Sequence, residues 1–351
     1  SAFRLTNLYL ALMLDPLVYG GGAAGGGAPF GFGAGGTAMR LAAEEAQSPE
    51  IALAYAKLLR SPATPAAGFI PEPRWNVWTG GYGGANRIAG DSTWVGSHDV
   101  SASAGGFAGG VDYRLWPGTT VGVSLAGGFT SWDLANALGG GGSDAFQAGI
   151  YGITRSGPGY IAGAVSFAEH WMTTDRFAFM GDHLTASFNA QNYAARIEGG
   201  WRLDAFLPGV TPYVALQAQA LNTPAYSETD VNGGGFGLNF GARTANDTRS
   251  ELGARFNRAM LVGDVGVVNF TARTAWAHDW VSDPTLAAMF QTLPGAAFTV
   301  TGASLAPNSA LLSAGSELRF FNGWGVGIHL DGEFAGGAQS YAGTGTVRYA
   351  W

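Results

Sequence analysis

A set of charged residues recurs at alternate positions of segments that are otherwise apolar: Arg196, Glu198 and Arg202; Arg249, Glu251 and Arg255; Arg273; Glu317 and Arg319; Glu333; and Arg348. Charges of both signs spaced this way can pair with one another and solvate a wet cavity. Some could also grip a polypeptide segment lying in that cavity, fixing its position more than adding stability. Residues for other chemistry are not organised. The histidines at 98, 170, 183, 278 and 329 show no metal spacing, and neither HExxH nor GxSxG occurs. The glycine runs Gly20-Gly21-Gly22 and Gly139 to Gly142 lack the Lys-Ser/Thr and the strand–helix setting of a phosphate loop. No cofactor or metal is expected, and the chain is expected not to be an enzyme.

The elements that position these charges read as strands. Over 194–204, Ala195, Ile197, Gly199, Trp201 and Leu203 oppose Arg196, Glu198, Gly200, Arg202 and Asp204. Leu252, Ala254 and Phe256 oppose Arg249, Glu251, Arg255 and Asn257. Val268, Phe270 and Trp276 oppose Asn269, Thr271 and Arg273, and Leu318 and Phe320 oppose Glu317 and Arg319. In 324–334, Trp324, Val326, Ile328, Leu330 and Phe334 oppose His329, Asp331 and Glu333. In the last segment Gly343, Gly345, Val347, Tyr349 and Trp351 oppose Thr344, Thr346, Arg348 and Ala350. Period-2 alternation puts one face against an apolar medium and the other against a polar one.

About twelve such segments are predicted: 74–88, 97–116, 119–133, 145–156, 159–172, 185–205, 210–225, 247–262, 264–281, 309–321, 324–336 and 340–351. Tight turns at Trp116-Pro117-Gly118-Thr119, Ser156-Gly157-Pro158-Gly159, Leu207-Pro208-Gly209, Val262-Gly263-Asp264 and Phe321-Asn322-Gly323-Trp324 alternate with longer loops at 89–96, 134–144, 173–184, 226–246 and 282–308. Short turns on one side and long loops on the other predict an all-β fold, a transmembrane antiparallel barrel. Trp75, Trp78, Trp116, Trp132, Trp171, Trp201, Trp276, Trp324 and Trp351 are expected in its interface belts.

Composition agrees. The 351 residues include 57 glycines, 11 tryptophans and no cysteine, and only 12% are charged, about half the share usual in soluble domains. Mean hydropathy is only +0.10, and the longest strongly apolar stretch, Leu8 to Leu14, is far below the ~18 residues of a spanning helix. The net charge of −7 gives no reason to expect a nucleic-acid partner. No charged leader opens the chain, so Ser1 is expected to be an internal boundary of a longer protein.

Before the barrel, residues 1–36 are read as the end of an upstream domain followed by a Gly-rich linker. Residues 37–73 are read as a pore-threading helix and its proline-rich connector. Thr37 can cap a first piece, and Ser48-Pro49 restart a slim second one over 50–60, roughly 18 Å long. Residues 74–351 are the barrel. With an even strand number both barrel ends lie on the short-turn side, so the helix re-enters the pore from there, with Glu44, Glu45, Glu50, Lys57 and Arg60 as partners for the lumen charges. A lumen of about twelve strands has room for one helix.

This order of features resembles the translocator domain of type V secretion autotransporters over about residues 37–351. It is carried by the helix before the first strand, Trp75-Asn76-Val77-Trp78-Thr79-Gly80-Gly81-Tyr82-Gly83, the segment from Phe298-Thr299-Val300-Thr301 to Ser313-Ala314-Gly315, and the ending Val347-Arg348-Tyr349-Ala350-Trp351. The resemblance implies anchoring in the outer membrane of a Gram-negative bacterium, amid lipid and lipopolysaccharide. It also implies export or display of an N-terminal passenger, and insertion by the Bam machinery, which would read Val347, Tyr349 and Trp351. Some relatives cleave themselves at an asparagine in the pore helix; no Asn lies between Asn7 and Asn76, so helix 37–60 offers no such residue. The alternatives are a passive porin, which has no need of the helix, and a barrel phospholipase, which needs an exposed Ser–His pair.

Overall fold

The structure, a computed structural model, describes residues 2–19, 74–90, 98–203, 207–281, 285–293, 295–301 and 307–351. Twelve long strands form the wall: β1 (Trp75–Ile88), β2 (Val100–Trp116), β3 (Thr119–Leu134), β4 (Gly139–Ser156), β5 (Gly159–Phe177), β6 (His183–Trp201), β7 (Val210–Thr223), β8 (Arg243–Val262), β9 (Gly266–Val281), β10 (Asn308–Phe320), β11 (Trp324–Ala335) and β12 (Ala338–Ala350). Each pairs antiparallel with its neighbours in sequence, and β12 returns to β1 with Asn76 opposite Ala350 and Ile88 opposite Ala338. The sheet closes and leaves no long edge, as a wall in lipid must.

Alternation sorts the two faces as expected. Val123, Leu125, Ile150, Ile161, Ile197, Leu252, Ile328 and Leu330 are all more than half exposed on the outside, whereas Glu198, Glu251 and Arg255 are buried inside. A soluble sandwich would reverse this. No helix among the described residues is long and apolar enough to cross a membrane, which does not bear on crossing by strands.

One helix, α1 (Ala2–Tyr19), lies inside the wall. α1 occupies a stretch read from the sequence as the end of an upstream domain, ahead of the 50–60 segment expected in the pore. The partners expected on that segment, and residues 37–60 as a whole, lie outside the described residues. Leu8 to Leu14 is too short to span a bilayer, but it needs only a narrow lumen lined by small residues. Leu5, Tyr9 and Leu10 are fully buried there.

The loop ends depart from expectation in both directions. Gly139 to Gly142 belong to β4 rather than to a loop, and Gly141 leaves room for the Trp132 ring, which a Cβ would approach to 2.9 Å. Strands β5 and β6 likewise run on to a tight connection at 178–182. The connection at 202–209 is longer than a two-residue turn. The asymmetry is carried by 89–99, 224–242 and 282–307. The last two also hold a small antiparallel sheet of Tyr226–Ser227, Leu238–Phe240, Thr285–Phe290 and Ala297–Thr301. Trp78 is corrected as well: it is buried in the lumen, donating from Nε1 to the Tyr151 hydroxyl at 2.6 Å. Trp132 shares the inward row with buried Thr130. The glycines of β1 hid the facing of Trp78.

Candidate functional site

The lumen has two unlike halves. From β1 to β5 buried Trp78, Tyr82, Tyr151 and Tyr160 stand among alanines and glycines, and at the glycines α1 packs directly on backbone. Leu12 lies against Gly80, Leu5 against Gly128 and Met13 against Gly149, where an added Cβ would come within 2.6 Å of the Met13 sulfur. Glycine is required there because the helix approaches the wall so closely. The Tyr9 hydroxyl bonds the Ser124 carbonyl at 2.9 Å and lies 2.7 Å from its Oγ.

The opposite half, β6 to β12, carries the charges. Arg196 spans Glu251 at 2.7 and 2.9 Å and Glu198 at 2.9 Å. Arg255 makes two parallel bonds of 2.9 Å to Glu198, which also accepts from the Tyr160 hydroxyl at 2.6 Å. Arg273 bridges Asp331 at 3.3 Å and Glu251 at 3.9 Å. Arg249 joins Asp279 at 2.6 Å and Glu333 at 2.5 Å. Nearer the short turns, Glu317 takes Arg319 at 2.8 Å and Arg348 at 3.3 Å. Bidentate Arg–carboxylate pairs fix geometry as well as charge, so this wall is a rigid lattice rather than a row of mobile side chains.

α1 presents a matching polar stripe. Arg4, Asn7, Ala11 and Asp15 recur at helical spacing, opposite the wall-packed Leu5, Tyr9, Leu12 and Met13. Arg4 lies 3.8 Å from Glu333 and bonds the Tyr341 carbonyl at 3.4 Å. The Asn7 side-chain oxygen accepts from both Gln217 and Gln219, at 2.7 and 2.6 Å, and Thr6 accepts from Asn192 at 2.7 Å. Arg255 donates to Asp15 at 3.0 Å and lies over the Tyr19 ring, 4.7 Å from its centre. The last carbonyls of α1 are taken by Arg155, at Leu17, and by Asn257, at Tyr19, which satisfies acceptors that a helix end leaves open. Between the stripe and the charged wall remain polar cavities of about 90 and 70 Å3.

Of the expected lumen charges, Arg255 and Glu333 touch the helix. Arg196, Glu198, Arg249, Glu251 and Arg273 touch those two or each other. Glu317 and Arg348 line the smaller cavity beside Asp15 and Tyr19, Arg319 stands behind them, and Arg202 lies at the short-turn rim within electrostatic range of Arg155. Arg4, Asn7 and Asp15 were missed because residues 1–36 read as a passenger end; their spacing of three and four is the signal that could have found them. α1 itself contains one asparagine, Asn7.

Val347 and Trp351 face outward, while Tyr349 stacks on Trp351 at 5.7 Å and tilts against Trp324 at 5.0 Å. Trp351 also exchanges two backbone hydrogen bonds with Trp75, of 3.1 and 3.3 Å, closing the β12–β1 seam.

Solved structures of similar fold include autotransporter translocator domains. The chain is similar to the translocator domain of autotransporter NalP from Neisseria meningitidis, with 17% identity, 88% of this chain and 97% of that chain covered, and a TM-score of 0.63. It is similar to the β domain of the Bordetella autotransporter BrkA, with 15% identity, 79% and 100% covered, and a TM-score of 0.61. The transport unit of AIDA-I from Escherichia coli shares 12% identity over 85% and 97%, with a TM-score of 0.53. No curated protein matches the sequence. The family model described as the autotransporter β-domain matches residues 77–331. With most of the wall inside that match, the chain belongs to the autotransporter β-domain family.

Proposed function

We propose that this barrel anchors in the outer membrane of a Gram-negative bacterium and exports or displays an N-terminal passenger, with α1 as the segment that remains in the pore. The observation that carries the reading is the fit of α1 to the two lumen halves. Direction supports it. The α1 carboxy end meets Arg155 and Asn257 near the short turns, and Arg4 lies beside Tyr341 near the opposite rim. Short turns face the periplasm in such barrels, so residues preceding Ala2 leave toward the cell surface.

A passive porin has no use for a helix matched on both sides to the lumen. A barrel phospholipase needs a Ser–His pair open to lipid. Ser143 and His170 do approach to 3.2 Å, but both are buried on the inward face. Lipid and lipopolysaccharide contact the outward apolar residues in this reading, and the Bam machinery recognises the strand ending in Val347, Tyr349 and Trp351.

An epitope placed just before Ala2 in the full-length protein tests this. Protease added to intact cells is expected to remove it while the barrel survives. An epitope protected in intact cells and cleaved only after the outer membrane is breached contradicts it.

A further inference from the structure

The outer wall carries a second concavity, unused by the lumen. A groove of about 630 Å3 crosses β8 to β12 on the membrane-facing side, within the ~300–1,000 Å3 of small-molecule sites. The register explains its shape. One row across the wall runs Phe256, Ala272, Ala314, Leu330. The next row toward the long loops runs Ala254, Thr274, Leu312, Gly332, Tyr341. Alanines and a glycine form the floor, and Phe256, Leu330 and Tyr341 stand as walls. Arg255, Arg273 and Asp331 adjoin the groove only through the sheet, since their charged ends are paired in the lumen.

Further toward the long loops the same strands present a polar aromatic cluster. Trp276 and Trp280 are more than half exposed on the outward row, with His278 between them. The His278 ring meets Trp280 edge-on at 4.4 Å. The Asn308 Oδ1 accepts from Trp276 Nε1 at 3.1 Å and lies 3.0 Å from His278 Nδ1. Phe334 packs edge-on against Tyr341 at 5.7 Å beside it.

We propose that groove and cluster together bind one glycolipid of the outer leaflet, with an acyl chain in the groove and the saccharide against Trp276 and Trp280. This rests on the outer-membrane reading given above. The groove lies on the face turned to hydrocarbon, where an acyl chain is its matching occupant. The cluster of Trp276, His278 and Trp280 follows the groove along β9 toward the long-loop end, which is the outer leaflet and the glycolipid side of this membrane. Exposed indole faces stack on the C–H faces of a sugar ring, and amphipathic aromatics favour this depth. His278 and Asn308 supply hydrogen bonds for hydroxyl or amide substituents.

The test is native mass spectrometry of the full chain extracted from outer membranes in mild detergent, counting retained lipid. A272L/A314L fills the groove with side chains that suit a lipid face, and H278A/W280A removes the cluster. The unaltered protein is expected to retain one glycolipid, and each variant about tenfold less, equivalent to about 1.4 kcal/mol. Equal retention in all three, or phospholipid alone on the unaltered protein, overturns the site while leaving the membrane reading intact. Absence of the unaltered protein from the outer-membrane fraction overturns both. Heat-modifiable electrophoretic mobility, measured on every variant, separates lost lipid from lost folding.

Discussion

Arg255 of the wall holds Asp15 of the lumen helix at 3.0 Å while its other edge is locked on Glu198 by two bonds of 2.9 Å. One guanidinium therefore ties the helix to the rigid charge lattice. Its cost when removed should be unequal on the two sides. Arg255→Ala leaves Glu198 buried without its main partner, and breaking such a pair costs about 3–5 kcal/mol. Asp15→Asn loses only one charged hydrogen bond, about 1.5–3 kcal/mol. Thermal unfolding in detergent is expected to rank Arg255→Ala well below Asp15→Asn; equal losses would show that the lattice does not depend on Arg255.

The small-residue half makes a different forecast. At Gly149 any Cβ enters the space of Met13, so Gly149→Val should cost about 1–3 kcal/mol by overpacking. Met13→Ala opens that space. The double variant is expected to recover most of the loss, because the two residues are in contact and their effects should not add. Additive losses in the thermal melts would place Met13 elsewhere.

The fold was legible in the sequence largely because lipid inverts the usual facing. Strands such as β8 and β11 show strict alternation, with Arg249, Glu251 and Arg255 opposite Leu252 and Phe256, and all twelve long strands were found. Segments rich in glycine were not legible. Gly139 to Gly142 read as loop although they pair with Leu134 to Ser131, and Trp78 read as belt because Gly80 and Gly81 erase the alternation around it. The charged half of the lumen was visible for the same reason as the strands. Its partner helix was not. Its moderate amphipathicity makes sense only against a wall that is apolar on one side and charged on the other, and Arg4, Asn7 and Asp15 gain meaning only once that wall is built.

One loop should respond to acid. The amides of Gly235, Gly233 and Gly234 hold the Asp230 carboxyl below the ordinary carboxylate range, with bonds of 2.6, 2.6 and 3.2 Å. A carboxyl depressed in the folded state stabilises that state above its unfolded pKa and loses the contribution as pH falls through the folded value. Loop 228–238 is therefore expected to resist an acid-active protease above about pH 4 and to become cleavable only as pH falls through the lower value of the folded loop, with the barrel intact. Asp230→Asn should be cleaved at both pH values; protection of that variant equal to the native loop would contradict the assignment.

Trp351 pairs with Trp75 across the seam and stacks on Tyr349. Removing Trp351 deletes both contacts together with the residue proposed for Bam recognition. Cells should then carry less folded barrel in the outer membrane, scored by heat-modifiable mobility, with the lumen residues unaffected. Normal insertion of the shortened chain contradicts this.

α1 fills the lumen between the small-residue strands and the charge lattice. Single-channel conductance in planar bilayers tests it most directly, comparing the full chain with one lacking residues 1–19. The lattice of β6 to β12 lines a polar passage once α1 is gone, so the shortened chain is predicted to conduct markedly more. Unchanged conductance would mean that α1 does not fill the pore.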